Sequence, residues 1–135
     1  MSLQFSGSLR DAMLDAIESV VGTSPIMTIR TGAPPANCAT ANSGTVLATL
    51  TLPSDWMAAA SGGVKAKSGT WQDTSADASG TAGHWRIHDS GGTICHLQGT
   101  VTASGSGGDL QVDNVVFAAT QSFTINTFSI TLGNA

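Results

Sequence analysis

The chain has 135 residues, enough for one domain with a buried core, and 41% of them are hydrophobic. Only 10% are charged, the net charge is −4, and no basic cluster occurs, which argues against nucleic acid as a partner. No apolar run is long enough to span a membrane, and the first residues lack a signal-peptide pattern, so we expect no membrane partner and synthesis in the cytoplasm.

The first predicted element is an amphipathic helix over residues 8–21. Ser8 suits its N-cap and Gly22 suits a left-handed C-cap. Apolar residues at helical spacing predict a stripe that packs on the rest of the protein, with polar residues such as Asp15 in water. The stripe consists of Leu9, Ala12, Met13, Ala16, Ile17, Val20 and Val21.

Residues 1–7 are predicted to form an extended arm ahead of this helix. Leu3 and Phe5 are its apolar anchors, flanked by small residues that permit extension. Leu14 lies outside the predicted apolar stripe of the helix, and Trp56 lies in a turn-rich segment. These four residues are the candidate partner interface.

After residue 25 the apolar pattern changes to a period of two, which is typical of β-strands. The predicted strands are residues 26–30, 45–52, 64–73 (one or two short strands), 84–89, 93–101, 110–117 and 122–132. The phase slips near residues 126–127, which fits a β-bulge or a strand that changes sheets. The sequence therefore predicts a mainly β fold: one antiparallel β-sandwich or jelly-roll domain, residues 8–135, with one short N-terminal helix.

The segment "GHWRIHDSGGTICHLQG" contains all three histidines and reads as a β-hairpin. A three-residue turn at residues 90–92 would pair Ile87 with Cys95 and Trp85 with Leu97 on the core face.

The same register places His84, Arg86 and His88 on the outer face, facing solvent or an interface, with His96 beside Arg86. Four residues along a strand span about 13 Å, so His84 and His88 are too far apart to share one metal ion. Arg86 lies between them and repels a cation. A catalytic Cys–His–Asp set would need a cleft and an orienting acid, and Cys95 points the other way from His96. We therefore expect the protein to have no catalytic residue, no metal ion and no cofactor. It is predicted not to be an enzyme.

Two polar or reactive pairs leave alternatives open. Asp73 and Asp77 fall short of a full calcium-binding loop and suit ordinary turns. Cys38 and Cys95 can form a disulfide, although a cytosolic thiol stays reduced and Cys95 also suits a small buried position.

The tryptophans allow two interpretations. Trp85 belongs to the core by alternation, whereas Trp56 and Trp71 lie in turn-rich contexts. Exposed, these two rings would stack on sugars, which favours a carbohydrate- or receptor-binding module. Buried, they contribute only packing.

Four segments in a fixed order resemble a family of small structural proteins from tailed bacteriophages and prophages. They are "LRDAMLDAI", "TLPSDWMAAASGGV", "DTSADASGTAGHWRI" and "DSGGTICHLQGTV". In that family a short helix precedes a "TG-x-x-P" loop, a "TL" strand, an "ASGG" turn, "SADASGTAG" and a hairpin. The similarity runs from about residue 9 to the C-terminus, and it rests on the order of the motifs rather than on any one of them.

The resemblance implies a virion structural protein and supplies no catalytic residues. A capsid decoration or cementing protein would bind the major capsid protein and copies of itself on the capsid exterior. A tail or head–tail junction protein is the alternative within this class. We favour decoration, because no long hairpin of the kind that stacks tail rings is evident and because residues 1–7 can serve as an arm.

Overall fold

The computed structural model describes residues 3–133, and the protein is mainly β with one helix. The helix α1 spans Gly7–Val21. The strands are β1 (Ile26–Thr31), β2 (Val46–Thr51), β3 (Val64–Ala66), β4 (Trp71–Asp73), β5 (Gly80–His88), β6 (Cys95–Ala103), β7 (Leu110–Val112), β8 (Val116–Phe117), β9 (Phe123–Ile125) and β10 (Ser129–Thr131).

The largest sheet has the order β2-β1-β5-β6-β7, and β8 pairs with the first residues of β5. Its pairs are antiparallel except β6 with β7, which is parallel. Two further antiparallel ladders join β3 to β10 and β4 to β9. The alternation of apolar residues with a period of two predicted short strands separated by glycine-rich turns. The mainly β class is confirmed.

The last predicted strand is two strands in different ladders. β9 pairs with β4, whereas β10 pairs with β3. The change falls at residues 126–128, where the apolar phase slips, so the change of sheet, one of the two predicted alternatives, is confirmed. The predicted strands 64–73 and 110–117 are likewise each divided in two.

The core lies on one face of the largest sheet. Met27, Ile29 and Ile87 are fully buried there, and the Trp85 ring meets the Phe128 ring edge-on at 5.3 Å between centroids. Phe128 also contacts Trp71 of β4 at 5.2 Å. One aromatic side chain between β9 and β10 therefore joins the small ladders to the large sheet.

The β5–β6 hairpin has a wider loop than predicted. The Asp89 carboxylate accepts the backbone N–H groups of Thr93 (2.8 Å) and Ile94 (3.2 Å). These bonds hold residues 89–94 together as a single loop, replacing the three-residue turn that the "SGG" triplet predicted.

The wider loop changes the strand pairing, and the predicted register is wrong. Ile87 pairs with Leu97, and Trp85 pairs with Gly99. The register shifts between Ile87 and His88, which leaves His96 as an extra residue. Cys95 therefore pairs with His88 instead of Ile87 and lies on the face opposite the core.

The helix begins earlier than predicted. Ser6, not Ser8, is the N-cap, because its Oγ accepts the N–H of Leu9 at 3.2 Å. The arm is correspondingly shorter than residues 1–7, and its first two residues lie outside the described part of the chain. At the other end the helix stops at Gly22, which has φ 89° and donates its N–H to the Glu18 carbonyl, so the predicted glycine stop is confirmed. Its ψ of −171° is extended, so the cap is not the left-handed helical one that was predicted.

The helix is rotated relative to the predicted orientation. Leu14 and Val21 are buried, whereas Leu9, Met13 and Val20 are 47%, 36% and 69% exposed. At 100° per residue, the buried side is turned by about 100° from the centre of the predicted stripe. Leu14 is thus an inward-facing residue, which corrects its assignment to a partner interface.

Candidate functional site

The rotation of α1 leaves an apolar surface open to solvent. Leu9, Met13, Ala16 and Val20 are exposed and follow one another at intervals of four, three and four residues. At the helical repeat these four side chains share one narrow face. We call them the helix stripe from here on. Isolated exposed apolar residues are ordinary, but an aligned row of them is typical of an interaction surface.

A shallow groove runs beside the helix stripe. Its volume is about 290 Å³, and it lies between α1 and β6. The lining residues are Met13, Ala16, Ile17, Val20, Val21, His96 and Leu97. His96 is the extra residue of the β-bulge. The irregularity that makes the hairpin register differ from the predicted one therefore also forms one side of this groove.

Polar contacts on the opposite side of the helix explain its orientation. Lys65 of β3 is 1% exposed, and its Nζ lies 2.8 Å from Asp15 Oδ1 and 3.0 Å from Glu18 Oε2. Asp15 also accepts the N–H of Ala60, and Asp11 accepts the N–H of Gly63, both at 2.8 Å. Asp15 and Glu18 therefore anchor the helix to β3, while the Asp15 side chain remains 47% exposed, in agreement with its predicted place in water.

The charge pairing sets the ionisation of this anchor. Burial alone lowers the pKa of Lys65, but its hydrogen bonds to Asp15 and Glu18 outweigh burial, and its net pKa is raised. The bond from Lys65 lowers the pKa of Asp15, aided by the Ala60 N–H. Lys65 thus contributes stability that is complete below its unfolded pKa and is lost as the pH rises through its folded pKa.

Replacing both acids by amides (Asp15→Asn with Glu18→Gln) is expected to lower the melting temperature by several degrees at neutral pH. The Lys65 ammonium would stay buried with no carboxylate beside it, so burial would push its pKa below the unfolded value. The unfolded state would then bind more protons, and stability would rise with pH between the two pKa values. Denaturant unfolding at a series of alkaline pH values measures this slope.

The control for this experiment is Lys65→Met, which removes the buried charge and keeps the volume. Replacing a buried ion pair by a hydrophobic residue is often close to neutral, so this variant should melt near the parent and lack the alkaline slope. If the double amide variant unfolded like the parent at every pH, the carboxylates would not hold Lys65 in place.

The outer face of β5 is covered, contrary to the prediction of a solvent- or interface-facing surface. His84, Arg86 and His88 are 0%, 1% and 5% exposed. Residues 32–45, the segment between β1 and β2, lie over this face; we call this segment the cover loop. His84 Nδ1 lies 2.9 Å from the Gly32 carbonyl oxygen, and a Cβ at Gly83 would come within 2.2 Å of that oxygen.

Arg86 holds the middle of the cover loop. Its guanidinium donates to the carbonyl oxygens of Cys38 (2.8 Å) and Thr40 (3.1 Å) and to Asn42 Oδ1 (2.7 Å). On the neighbouring strand Gln98 Nε2 donates to the Pro35 carbonyl at 2.7 Å. The cationic residue that sequence reasoning placed between two histidines therefore organises a loop more than forty positions earlier in the chain.

The histidines of β5 lie among cationic side chains and not in a metal-binding cluster. Burial, followed by repulsion from Arg86 and Arg30, lowers the pKa of His88. A neutral imidazole at this position avoids a third positive charge beside the two arginines. Across residues 3–133, no group of three or more His, Cys, Asp or Glu side chains is arranged to hold a metal ion.

Trp56 and Trp71 are both fully buried, so neither offers a ring face to a sugar or a partner. Their centroids are 6.0 Å apart, and each indole N–H donates to a backbone carbonyl, that of Gly22 for Trp56 and that of Ser68 for Trp71. The burial of Trp56 corrects its assignment to the partner interface.

The two aspartates considered for calcium serve the loops around them. Asp73 Oδ2 accepts the N–H of Thr49 at 2.9 Å, and its other oxygen accepts the N–H of Ser75. Asp77 Oδ2 accepts the Thr49 hydroxyl at 2.7 Å. Their oxygens are engaged with β2 and the adjacent turn, which is the turn-forming role that the sequence also allowed.

Of the four predicted interface residues, Leu3 is exposed and Phe5 is half-buried at the start of the described chain. The helix stripe was missed, because its residues were assigned to the core. No protein-family model, curated protein or solved structure matches this chain. Among the described residues, no helix is both long enough and apolar enough to cross a membrane.

Proposed function

We propose that this chain is a virion structural protein of a tailed bacteriophage, and specifically a capsid decoration protein. It binds the major capsid protein and further copies of itself on the outside of the head. The ordered segments of the sequence support the class. The proposed architecture is a β-sandwich of the jelly-roll kind, in which the β3–β10 and β4–β9 ladders form the layer opposite the large sheet.

The observation that best supports a binding role is the helix stripe beside its groove. Leu9, Met13 and Val20 present apolar side chains to water on a helix whose other side is fixed by Lys65. Covering such a surface is favourable by roughly 25 cal/mol for each Å² of apolar area. Because the helix is held rigidly, little ordering cost is added on docking. We assign this surface to the contact with the major capsid protein.

The rest of the surface suits repeated weak contacts. Only 10% of the residues are charged, so a neighbouring copy displaces little charge hydration. Small side chains lose little rotamer entropy when they are ordered. On a symmetric shell, many such contacts add through multivalency. Leu3, which is 72% exposed, is a second apolar contact at the arm.

We propose no catalytic residue, metal ion or cofactor for this protein. The buried polar groups that resemble a site, His84 and Arg86, face the cover loop and bond to its backbone. The proposed activity is binding to the capsid, which makes the particle more stable.

The test is a charge placed on the helix stripe. Val20→Asp is expected to reduce occupancy on particles at least about tenfold, because a loss of 1.4 kcal/mol in binding corresponds to that factor. Val20 is 69% exposed, so the isolated variant should melt within a few degrees of the parent. Particles are purified from a strain lacking the gene, incubated with each protein, sedimented, and analysed for heads and tails separately.

The matched control is Ser19→Asp, which adds the same charge to an exposed position beside the stripe. It should bind like the parent. Ala16→Asp, at a position that the sequence pattern assigned to the packed stripe, should leave stability nearly unchanged and impair binding, because Ala16 is exposed. Binding to tails but not heads would favour the tail-protein alternative, and equal binding by all variants would overturn the assigned surface.

A further inference from the structure

The two cysteines are distant in sequence and adjacent in space. Cys38 lies in the cover loop, and Cys95 is the first residue of β6. The β-bulge at His96 turns Cys95 to the face occupied by His88 and Arg86, which is the face that the cover loop packs on. Without the extra residue, Cys95 would point into the core, as the predicted register had it.

The cover loop is fixed on both sides of Cys38. The Arg86 guanidinium binds the Cys38 carbonyl itself at 2.8 Å and that of Thr40 at 3.1 Å. Gln98 binds the Pro35 carbonyl at 2.7 Å. With these points held, Cys38 lies over the end of β5 and β6 where Cys95 pairs with His88, close enough that the Cys95 thiol, after burial, helps to raise the pKa of Cys38. Both side chains are free thiols and partly exposed, so a small molecule can reach them.

We propose that Cys38 and Cys95 form a reversible disulfide that staples the cover loop to β6 when the protein meets an oxidant. The co-reactant is a low-molecular-weight disulfide. This inference concerns the cover-loop face and does not depend on the proposed function.

The reaction proceeds by two thiol–disulfide exchanges. Burial and the neighbouring thiol raise the pKa of Cys38 to about 11, so Cys38 is rarely a thiolate at neutral pH and Cys95 makes the first attack. The Cys95 thiolate displaces one thiolate from the small disulfide and forms a mixed disulfide. Cys38 then loses its proton and attacks the Cys95 sulfur, which expels the second thiolate. Two protein thiols are oxidised, and one small disulfide is reduced to two thiols.

Closing this link should stabilise the fold. It joins points far apart in the sequence, and such a cross-link restricts the unfolded chain strongly. Because the loop is already held in place, the native state needs little rearrangement. We expect the oxidised protein to melt roughly 5–10 °C above the reduced protein.

The experiment oxidises the reduced, full-length protein with oxidised glutathione. The expected result is an intact mass lower by two hydrogen atoms, no reactive thiol remaining, a peptide map that links Cys38 to Cys95, and reversal of all three by dithiothreitol. Cys38→Ser and Cys95→Ser serve as matched variants. Each should show no rise in melting temperature on oxidation, and Cys95→Ser should react with glutathione more slowly than Cys38→Ser.

Two outcomes would overturn the proposal. One is a product with glutathione attached to either cysteine and no internal link, even at long times. The other is a disulfide between two chains. If the internal link forms but leaves the melting temperature unchanged, the stapling role is wrong.

Discussion

Replacing Arg86 by methionine is expected to lower the free energy of unfolding by about 2–4 kcal/mol and to release the cover loop. Arg86 is 1% exposed, and its guanidinium donates to two carbonyls and one amide oxygen of that loop at 2.7–3.1 Å. Hydrogen bonds from a charged donor are stronger than neutral ones. Methionine fills similar space but satisfies none of these acceptors.

The size of this effect has an upper limit because the buried charge is itself costly. Among the described residues, the two ion pairs both involve Lys65, so no carboxylate compensates Arg86. Burial lowers the pKa of Arg30, repulsion from Arg86 lowers it further, and removing Arg86 removes that repulsion. The loop acceptors, once released, can bind water, since Thr40 and Asn42 lie at the surface.

Two measurements separate loop release from general destabilisation. Denaturant unfolding gives the change in stability, and the alkylation rate of Cys38 by iodoacetamide under native conditions reports local opening. We expect alkylation about tenfold faster in Arg86→Met, because the half-buried Cys38 thiol loses the burial that raises its pKa when the loop is released.

The control is Arg30→Met on the same face. Arg30 binds the loop through one long contact, 3.5 Å to the Ser43 carbonyl, so Cys38 should react at close to the parent rate in this variant. An unchanged alkylation rate in Arg86→Met would show that other contacts, such as Gln98 to Pro35, suffice to hold the loop.

The strands could be predicted from the sequence because they depend on interactions between residues close together in the chain. Alternating apolar residues separated by glycine and proline located the strands, and the phase slip at residues 126–127 located the change of sheet. The end of the helix at Gly22 was equally local. In each case the deciding interactions lie within a few residues of one another.

The orientation of the helix was not readable, because a distant residue sets it. Lys65 follows α1 by more than forty positions, and its bonds to Asp15 and Glu18 turn the helix stripe to the surface. A signal was present in the sequence. Asp11, Asp15 and Glu18 recur at helical spacing and form a second face as regular as the apolar one. Only the buried ammonium shows which of the two faces lies beside β3.

The sequence did not predict that the outer face of β5 is covered, for a related reason. The outward direction of His84, Arg86 and His88 was correct, but alternation cannot show what lies above a strand. The hairpin loop was mistaken because "SGG" suits a tight turn, whereas the carboxylate of Asp89 favours a longer one. That single loop moved Cys95 from the core face to the face that contacts Cys38.

Trp71→Ala is expected to be among the most destabilising single substitutions in the chain, at about 3–5 kcal/mol. Trp71 is 0% exposed, and its ring contacts both Trp56 and Phe128, at 6.0 Å and 5.2 Å between centroids. Truncation leaves a cavity at the place where the β4–β9 ladder meets the large sheet. The indole N–H bond to the Ser68 carbonyl at 3.1 Å is lost as well.

Trp71→Phe tests the two contributions separately. Phenylalanine retains most of the ring packing and loses the hydrogen bond, so about 1–2 kcal/mol should be lost. Val116→Ala, at a residue 58% exposed, should change stability by less than about 0.5 kcal/mol. Urea unfolding of the three variants, with a glycan-binding assay on each, decides between the two roles considered for this ring. A Trp71→Ala protein that unfolded like the parent but had lost binding to a sugar would contradict the core assignment, and would revive the carbohydrate-binding module.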